Sequence, residues 1–185
     1  MVLLHTPAGE LGARASDFSL MGVDDKQHSL ADYKNSKVLV VMFICNHCPY
    51  VQAIENRLIN LANEFDVTDV AFVGINSNDP VRYSEDSLEN MKKRAAEKNY
   101  PFAYVVDEDQ SVATAYGAVC TPDIFVFNQK RELTYRGRLD DSPRNPSAVK
   151  SQDLKNALIA TLAGKPVPSP QHSSMGCSIK WLSNR

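Results

Sequence analysis

Val38-Leu39-Val40-Val41-Met42-Phe43-Ile44-Cys45-Asn46-His47-Cys48-Pro49 is the stretch on which the reading of the chain turns. Its first seven residues are apolar, uncharged and rich in Val, which marks a strand buried on both faces of a sheet. Beyond Pro49 the period changes. Ile54, Leu58, Leu61 and Phe65 recur at helical spacing, so a helix over 50–65 follows the strand. Strand, short turn and helix place two cysteines at the carboxyl end of a buried strand, where open α/β sheets carry their chemistry.

That position suits sulfur. Unpaired amides at a helix N-terminus stabilise a nearby negative charge and favour thiolate over thiol. Two cysteines three residues apart can close a small disulfide across the first turn. Pro49 fits that turn, where its missing N–H costs little. A protonated His47 between the cysteines would stabilise a thiolate further and make the disulfide a better oxidant.

The strand, the Cys45-x-x-Cys48 pair and the helix resemble the thioredoxin superfamily. The likeness extends both ways. Asp17-Phe18-Ser19-Leu20, then Ser29 to Tyr33 and Lys37-Val38, resemble the N-terminal extension of its peroxiredoxin-like (AhpC/TSA-type) and tethered thiol-disulfide reductase branches. Val119-Cys120-Thr121-Pro122-Asp123 resembles the loop whose cis-proline faces the redox pair. The resemblance covers roughly Ala15 to Leu162 and implies an α/β thioredoxin-like fold. It has a central mixed sheet flanked by helices, an N-terminal β-hairpin extension and a Pro-rich C-terminal tail. The expected division is an arm at 1–14, a thioredoxin-like domain at 15–163 and a tail at 164–185 that docks on the domain.

The resemblance also implies roles. Cys45 is the exposed attacking thiolate and Cys48 the resolving thiol. His47 tunes the pair, and Thr121, before a cis Pro122, presents its backbone to an extended substrate segment. Cys177 and Cys120 are possible third thiols. The implied function is thiol-disulfide oxidoreduction on a disulfide-bearing protein or small molecule. A thiol electron donor of the thioredoxin or glutathione type would restore it, without bound cofactor or metal.

Departures from the pattern leave two alternatives open. Leu39 and Val51 stand where some relatives carry an acid, leaving only Asp123 or Glu55 to approach from elsewhere for proton transfer. Against the peroxiredoxin pattern Pro-x-x-x-Thr-x-x-Cys, Val41 replaces the proline and Cys45 the threonine, with Cys48 at the peroxidatic place. A peroxiredoxin-like antioxidant peroxidase is the first alternative, with a second thiol condensing onto a sulfenic acid. The second is a zinc- or copper-binding module, for which Cys45, Cys48, His172 and Cys177 supply suitable ligands.

The rest of the chain sets the context. A length of 185 residues is enough for one domain with a sizeable core. A formal charge of −2 gives no basic field for nucleic acid. No apolar run approaches the ~20 residues that span a bilayer, and the first residues do not read as a secretory signal. The expected location is cytoplasmic, where four cysteines favour catalysis or metal over a disulfide framework.

Periodicity predicts a hairpin around 22–25, a strand over 70–75 parallel to the first, and a helix over 84–98 with a solvated charged face. Short elements follow over 102–106 and 109–116, then an antiparallel pair over 124–138 and a last helix over 153–162. The loop 76–80 falls on the cysteine rim. In the tail, Pro166, Pro168 and Pro170 form an extended spacer, and Ile179 and Trp181 are apolar anchors for docking back.

Overall fold

The computed structural model describes residues 2–182. Its elements in chain order are β1 (Leu3–His5), β2 (Ser19–Gly22), β3 (Gln27–Ser29), β4 (Val38–Phe43), α1 (Pro49–Asn63), β5 (Val70–Asn76), α2 (Leu88–Lys98) and β6 (Ala103–Val106). They continue with α3 (Ser111–Tyr116), β7 (Cys120–Thr121), β8 (Asp123–Phe127), β9 (Leu133–Gly137), α4 (Asp153–Leu162) and β10 (Met175–Ser178). Seven strands form a mixed sheet in the order β3-β2-β6-β5-β4-β8-β9, and β1-β10-β7 form a small second sheet.

Strand β4 lies at the centre, parallel to β5 and antiparallel to β8. All six of its residues are buried. Because side chains alternate across a sheet, one strand feeds two cores. Val38, Val40 and Met42 pack with Val51, Ile54, Leu58 and Leu61 of α1, Met91 of α2, and Leu154 and Leu158 of α4. Leu39, Val41 and Phe43 pack with Phe18, Val112, Tyr116, Phe125 and Phe127. Removing such a side chain, as in Leu58→Ala, costs about 2–5 kcal/mol.

Helix α1 begins at the second cysteine. Cys48 is its extended N-cap residue and Pro49 opens the first turn. The hairpin forms as β2 and β3. The helix predicted over 84–98 is divided: a 3-10 turn spans Ser84–Asp86, and α2 starts afresh after Ser87, whose hydroxyl accepts the Asn90 N–H. The break turns Asp86 inward instead of onto a solvated face. The N-terminal arm is tied down. Its strand β1 pairs with β10, Leu3 opposite Cys177 and His5 opposite Met175.

Candidate active site

The turn between β4 and α1 is held by Asn46. Its backbone N–H donates to Asp86 Oδ1 at 2.7 Å, and its side-chain amide donates to the Glu85 carbonyl at 2.7 Å. Its Oδ1 accepts the Tyr104 hydroxyl at 3.1 Å, and its carbonyl accepts Gln52 Nε2 at 2.7 Å. A short turn so restrained fixes where both cysteines point.

Both sulfurs meet Thr121, beside the cis Thr121–Pro122 peptide bond. Cys45 Sγ lies 3.2 Å from the Thr121 hydroxyl. As a thiol, Cys48 donates to the Thr121 carbonyl 3.1 Å away. The sequence reading has Cys45 exposed, but it retains only 3% exposure and Cys48 none. The reason is tertiary: β10 lies along β7, with Cys177 opposite Thr121 and Ser178 opposite Cys120, and it roofs the turn.

Hydrogen-bond donors converge on Cys48. Its sulfur interacts with the Cys45 thiol, the Cys177 side chain, and the backbone N–H groups of Val51 and Cys177. The Cys45 thiol is the largest influence, and together they outweigh burial and hold Cys48 far below the usual thiol range, at about 4. Cys45 moves the other way. Burial raises it most, and the hydrogen bond to Cys48 and the Asp86 charge add to that. The two sulfurs titrate together: the hydrogen bond between them lowers Cys48 and raises Cys45. Burial also pushes Cys177 up to about 11 and Cys120 up to about 12.

Asp86 is the residue that sequence reasoning missed. Its side chain is fully buried beside His47, whose Nδ1 lies 2.5 Å from Asp86 Oδ2. Asn78 Nδ2 donates to the same oxygen at 2.8 Å. Burial works against the charge, but His47, Asn78 and the Asn46 N–H keep the carboxyl below its ordinary value. His47 also stacks on Tyr83, with ring centroids 4.8 Å apart. The available signal was the 76–80 loop on the cysteine rim: the chain that leaves it reaches Asp86 within one short turn.

The two carboxylates considered from sequence are occupied elsewhere. Asp123 is fully buried in a two-pronged pair with Arg136, at 2.7 and 3.2 Å. Glu55 joins α1 to α2 through Arg94 at 2.7 and 2.8 Å and the Tyr100 hydroxyl at 2.6 Å.

The metal set read from sequence is not assembled. His172 lines a separate cleft with Tyr135, Asn156 and Val167. Among the described residues, the closely set donors of metal-binding type are Cys45, His47 and Asp86, within 4.8 Å of one another. Both Asp86 oxygens and His47 Nδ1 are already engaged in hydrogen bonds, so an ion would have to break that network to enter.

A central mixed sheet, a Cys-x-x-Cys turn capping a helix, and a Thr–cis-Pro segment facing it define a thioredoxin-like protein. The sequence model of the AhpC/TSA family matches residues 11–136. The chain belongs to that family.

Among solved structures, an uncharacterized conserved protein from Geobacillus kaustophilus is 47% identical, with a TM-score of 0.94, covering 99% of this chain and 98% of that one. A hypothetical protein from Sinorhizobium meliloti 1021 is 40% identical, with a TM-score of 0.92, covering 97% and 98%. At the level of fold, a thioredoxin-family thiol:disulfide interchange protein from Chlorobium tepidum has a TM-score of 0.64 at 20% identity, covering 84% and 99%. Among curated proteins there is no match. Family and fold together support oxidoreductase activity and thiol- or disulfide-bearing partners. No helix among the described residues is long and apolar enough to cross a membrane.

Proposed function

We propose that the protein is a thiol-disulfide oxidoreductase whose redox pair is Cys45 and Cys48, with Cys48 as the nucleophile. The observation that carries this reading is the convergence of the Cys45 thiol and the Val51 N–H on the Cys48 sulfur at the start of α1. It reverses the roles expected from sequence, and what supports the reversal is the set of donors around the second sulfur.

The Cys48 thiolate attacks one sulfur of a substrate disulfide. The substrate S–S bond breaks, a mixed disulfide forms, and the leaving thiolate takes a proton. Cys45 then loses its proton and attacks the Cys48 sulfur, closing Cys45–Cys48 and releasing the second substrate thiol. His47 and Asp86, within 4.8 Å of the Cys45 sulfur, are the groups at hand to accept that proton. Two electrons pass from the pair to the substrate, and an external dithiol returns them. Thr121 orients the Cys45 sulfur through its hydroxyl.

The test is reduction of insulin or of oxidised glutathione by the reduced full chain. Cys48→Ser should abolish turnover. Cys45→Ser should trap the mixed disulfide on Cys48. A mixed disulfide trapped on Cys45 in Cys48→Ser, with none on Cys48 in the reciprocal variant, would overturn the assignment.

A second reading rests on the same sulfur. Cys48 also occupies the peroxidatic place of the family pattern, and its thiolate is the species that attacks a hydroperoxide. The O–O bond would break, Cys48 would become a sulfenic acid, and a second thiol would condense with it, releasing water. Hydrogen peroxide consumption faster than insulin reduction would favour this reading.

A further inference from the structure

The site as described cannot be reached. Cys45 and Cys177 are each 3% exposed, and Cys48 and Cys120 have no exposure. A cleft lined by Tyr50, Ile54, Pro122, Leu139 and Met175 runs beside the pair without a cysteine in its lining. A substrate disulfide must therefore displace something to touch Cys48, and what lies over the sulfur is the chain's own tail.

The tail is held as a strap, by its two ends and by two short ladders, one to β1 and one to β7. At one end the Thr6 N–H donates to the Ser174 carbonyl at 3.0 Å, and the Ser174 N–H donates to Thr6 Oγ1 at 2.9 Å. At the other, Lys180 donates its N–H to Asn78 Oδ1 at 2.8 Å, and its carbonyl accepts from the Asp79 N–H and Gln110 Nε2 at 2.9 and 2.8 Å. Between them, β10 meets a β7 of only two residues. The fit is close: a Cβ on Gly176 would stand 1.9 Å from the Thr121 carbonyl oxygen. Upstream, 164–170 is mostly exposed, so one flank of the strap is already in solvent.

An extended segment laid on a strand edge with a sulfur presented to a thiolate is how a disulfide-bearing peptide would bind. Cys177 sits opposite Thr121 and is bonded to the Cys48 sulfur through its side chain and its N–H.

We propose that β10 is a removable strap that closes the dithiol in the resting protein, and that Cys177 is its thiol partner for Cys48, so that oxidation runs on from Cys45–Cys48 to Cys48–Cys177. The proposal rests on the oxidoreductase reading above. The external disulfide supplies the oxidising equivalents. The second step is internal exchange: Cys177 attacks the Cys48 sulfur, the Cys45–Cys48 bond breaks, the Cys48–Cys177 bond forms, and the proton of Cys177 passes to Cys45. No electrons are gained or lost in that step. Its outcome is a tail pinned covalently over the site until a reductant frees it.

The test uses the full chain. Reduced protein is treated with oxidised glutathione, blocked with N-ethylmaleimide and digested with trypsin, which places Cys45 and Cys48 in peptide 38–57 and Cys177 in peptide 156–180. The expected product joins the two peptides through Cys48 and Cys177, with Cys45 alkylated. A Cys45–Cys48 link with Cys177 always alkylated overturns the relay and leaves the oxidoreductase reading standing. Failure of all three thiols to oxidise overturns both.

Strap opening is read in the wild type by hydrogen exchange. The amides of Ser178 and Ile179, bonded to the carbonyls of Val2 and Val119, should exchange at least 100-fold faster than that of Val40. Equal protection overturns the strap. In a cooperatively folded Gly176→Ala variant, alkylation of Cys48 should accelerate at least tenfold, and an unchanged rate would count against it equally.

Discussion

Asp86 Oδ2 lies 2.5 Å from Nδ1 of His47 across 39 residues of chain, in a place where the carboxylate has no exposure. The contact ties the cysteine turn to the segment before α2. The same carboxylate accepts the Asn46 N–H and the Asn78 amide, so Asp86 shapes the turn as well as its electrostatics.

Asp86→Asn keeps the shape and removes the charge. Because the Asp86 charge is one cause of the raised Cys45, the variant should ionise Cys45 at lower pH. It also weakens charge-assisted hydrogen bonds in a buried site, at a cost of about 1–3 kcal/mol. Urea denaturation and mass-resolved alkylation against pH measure the two effects. A Cys45 titration unmoved by the substitution would remove Asp86 from the electrostatics of the pair.

The reduced protein should gain stability as pH rises. The hydrogen bond from Cys45 and its fellow donors bring Cys48 down to about 4 in the folded protein, against 9.0 for an ordinary thiol. Between those values the unfolded chain binds the extra proton, so unfolding free energy climbs with pH. The contribution is complete above about 9 and is lost as pH falls through about 4. In the oxidised protein, with Cys48 held in a disulfide, this slope should vanish. Thermal melts of both forms from pH 5 to 8 test it, and parallel curves would refute the thiolate assignment. Absorbance at 240 nm should follow the same acid transition in the reduced form alone.

Thr121→Val removes the hydroxyl 3.2 Å from the Cys45 sulfur while leaving the β7 backbone in place. That hydroxyl eases ionisation of Cys45. The mixed disulfide on Cys48 should persist longer, and stability should change by about 1 kcal/mol. Stopped-flow reduction of a chromogenic disulfide separates a slowed resolving step from an unchanged first attack.

Glu55→Gln should separate stability from chemistry. Glu55 holds Arg94 and Tyr100, and half of this clamp is lost in the amide. Because Arg94 is partly exposed, neutralising Glu55 costs about 1–3 kcal/mol, read in urea, while the exchange rate per folded molecule stays at the wild-type value. A rate that fell in proportion would restore Glu55 as a proton-transfer group.

Much of this was legible in local pattern. The unbroken apolar run of β4 announced a strand buried on both faces, and α1 followed from Ile54, Leu58 and Leu61 at helical spacing. The parallel partner β5, the hairpin β2–β3 and the last helix followed from the same periodicities. The helix over 84–98 was misread because its charges matched a solvated face. Ser87 instead caps a new helix, and the residue before it is pulled inward by Asn46, His47 and Asn78.

The order of residues alone determined that a buried strand would deliver two cysteines to the start of a helix, since periodicity and capping act within one or two turns of chain. Only the folded molecule decided which groups surround each sulfur, which acid stands beside the turn, and what covers it. Those answers come from Thr121, Asp86 and Cys177, brought to the turn from 38 or more residues away by strand register and loop closure. A sulfur's charge depends on donors and burial in space, and neither is encoded in its neighbours along the chain.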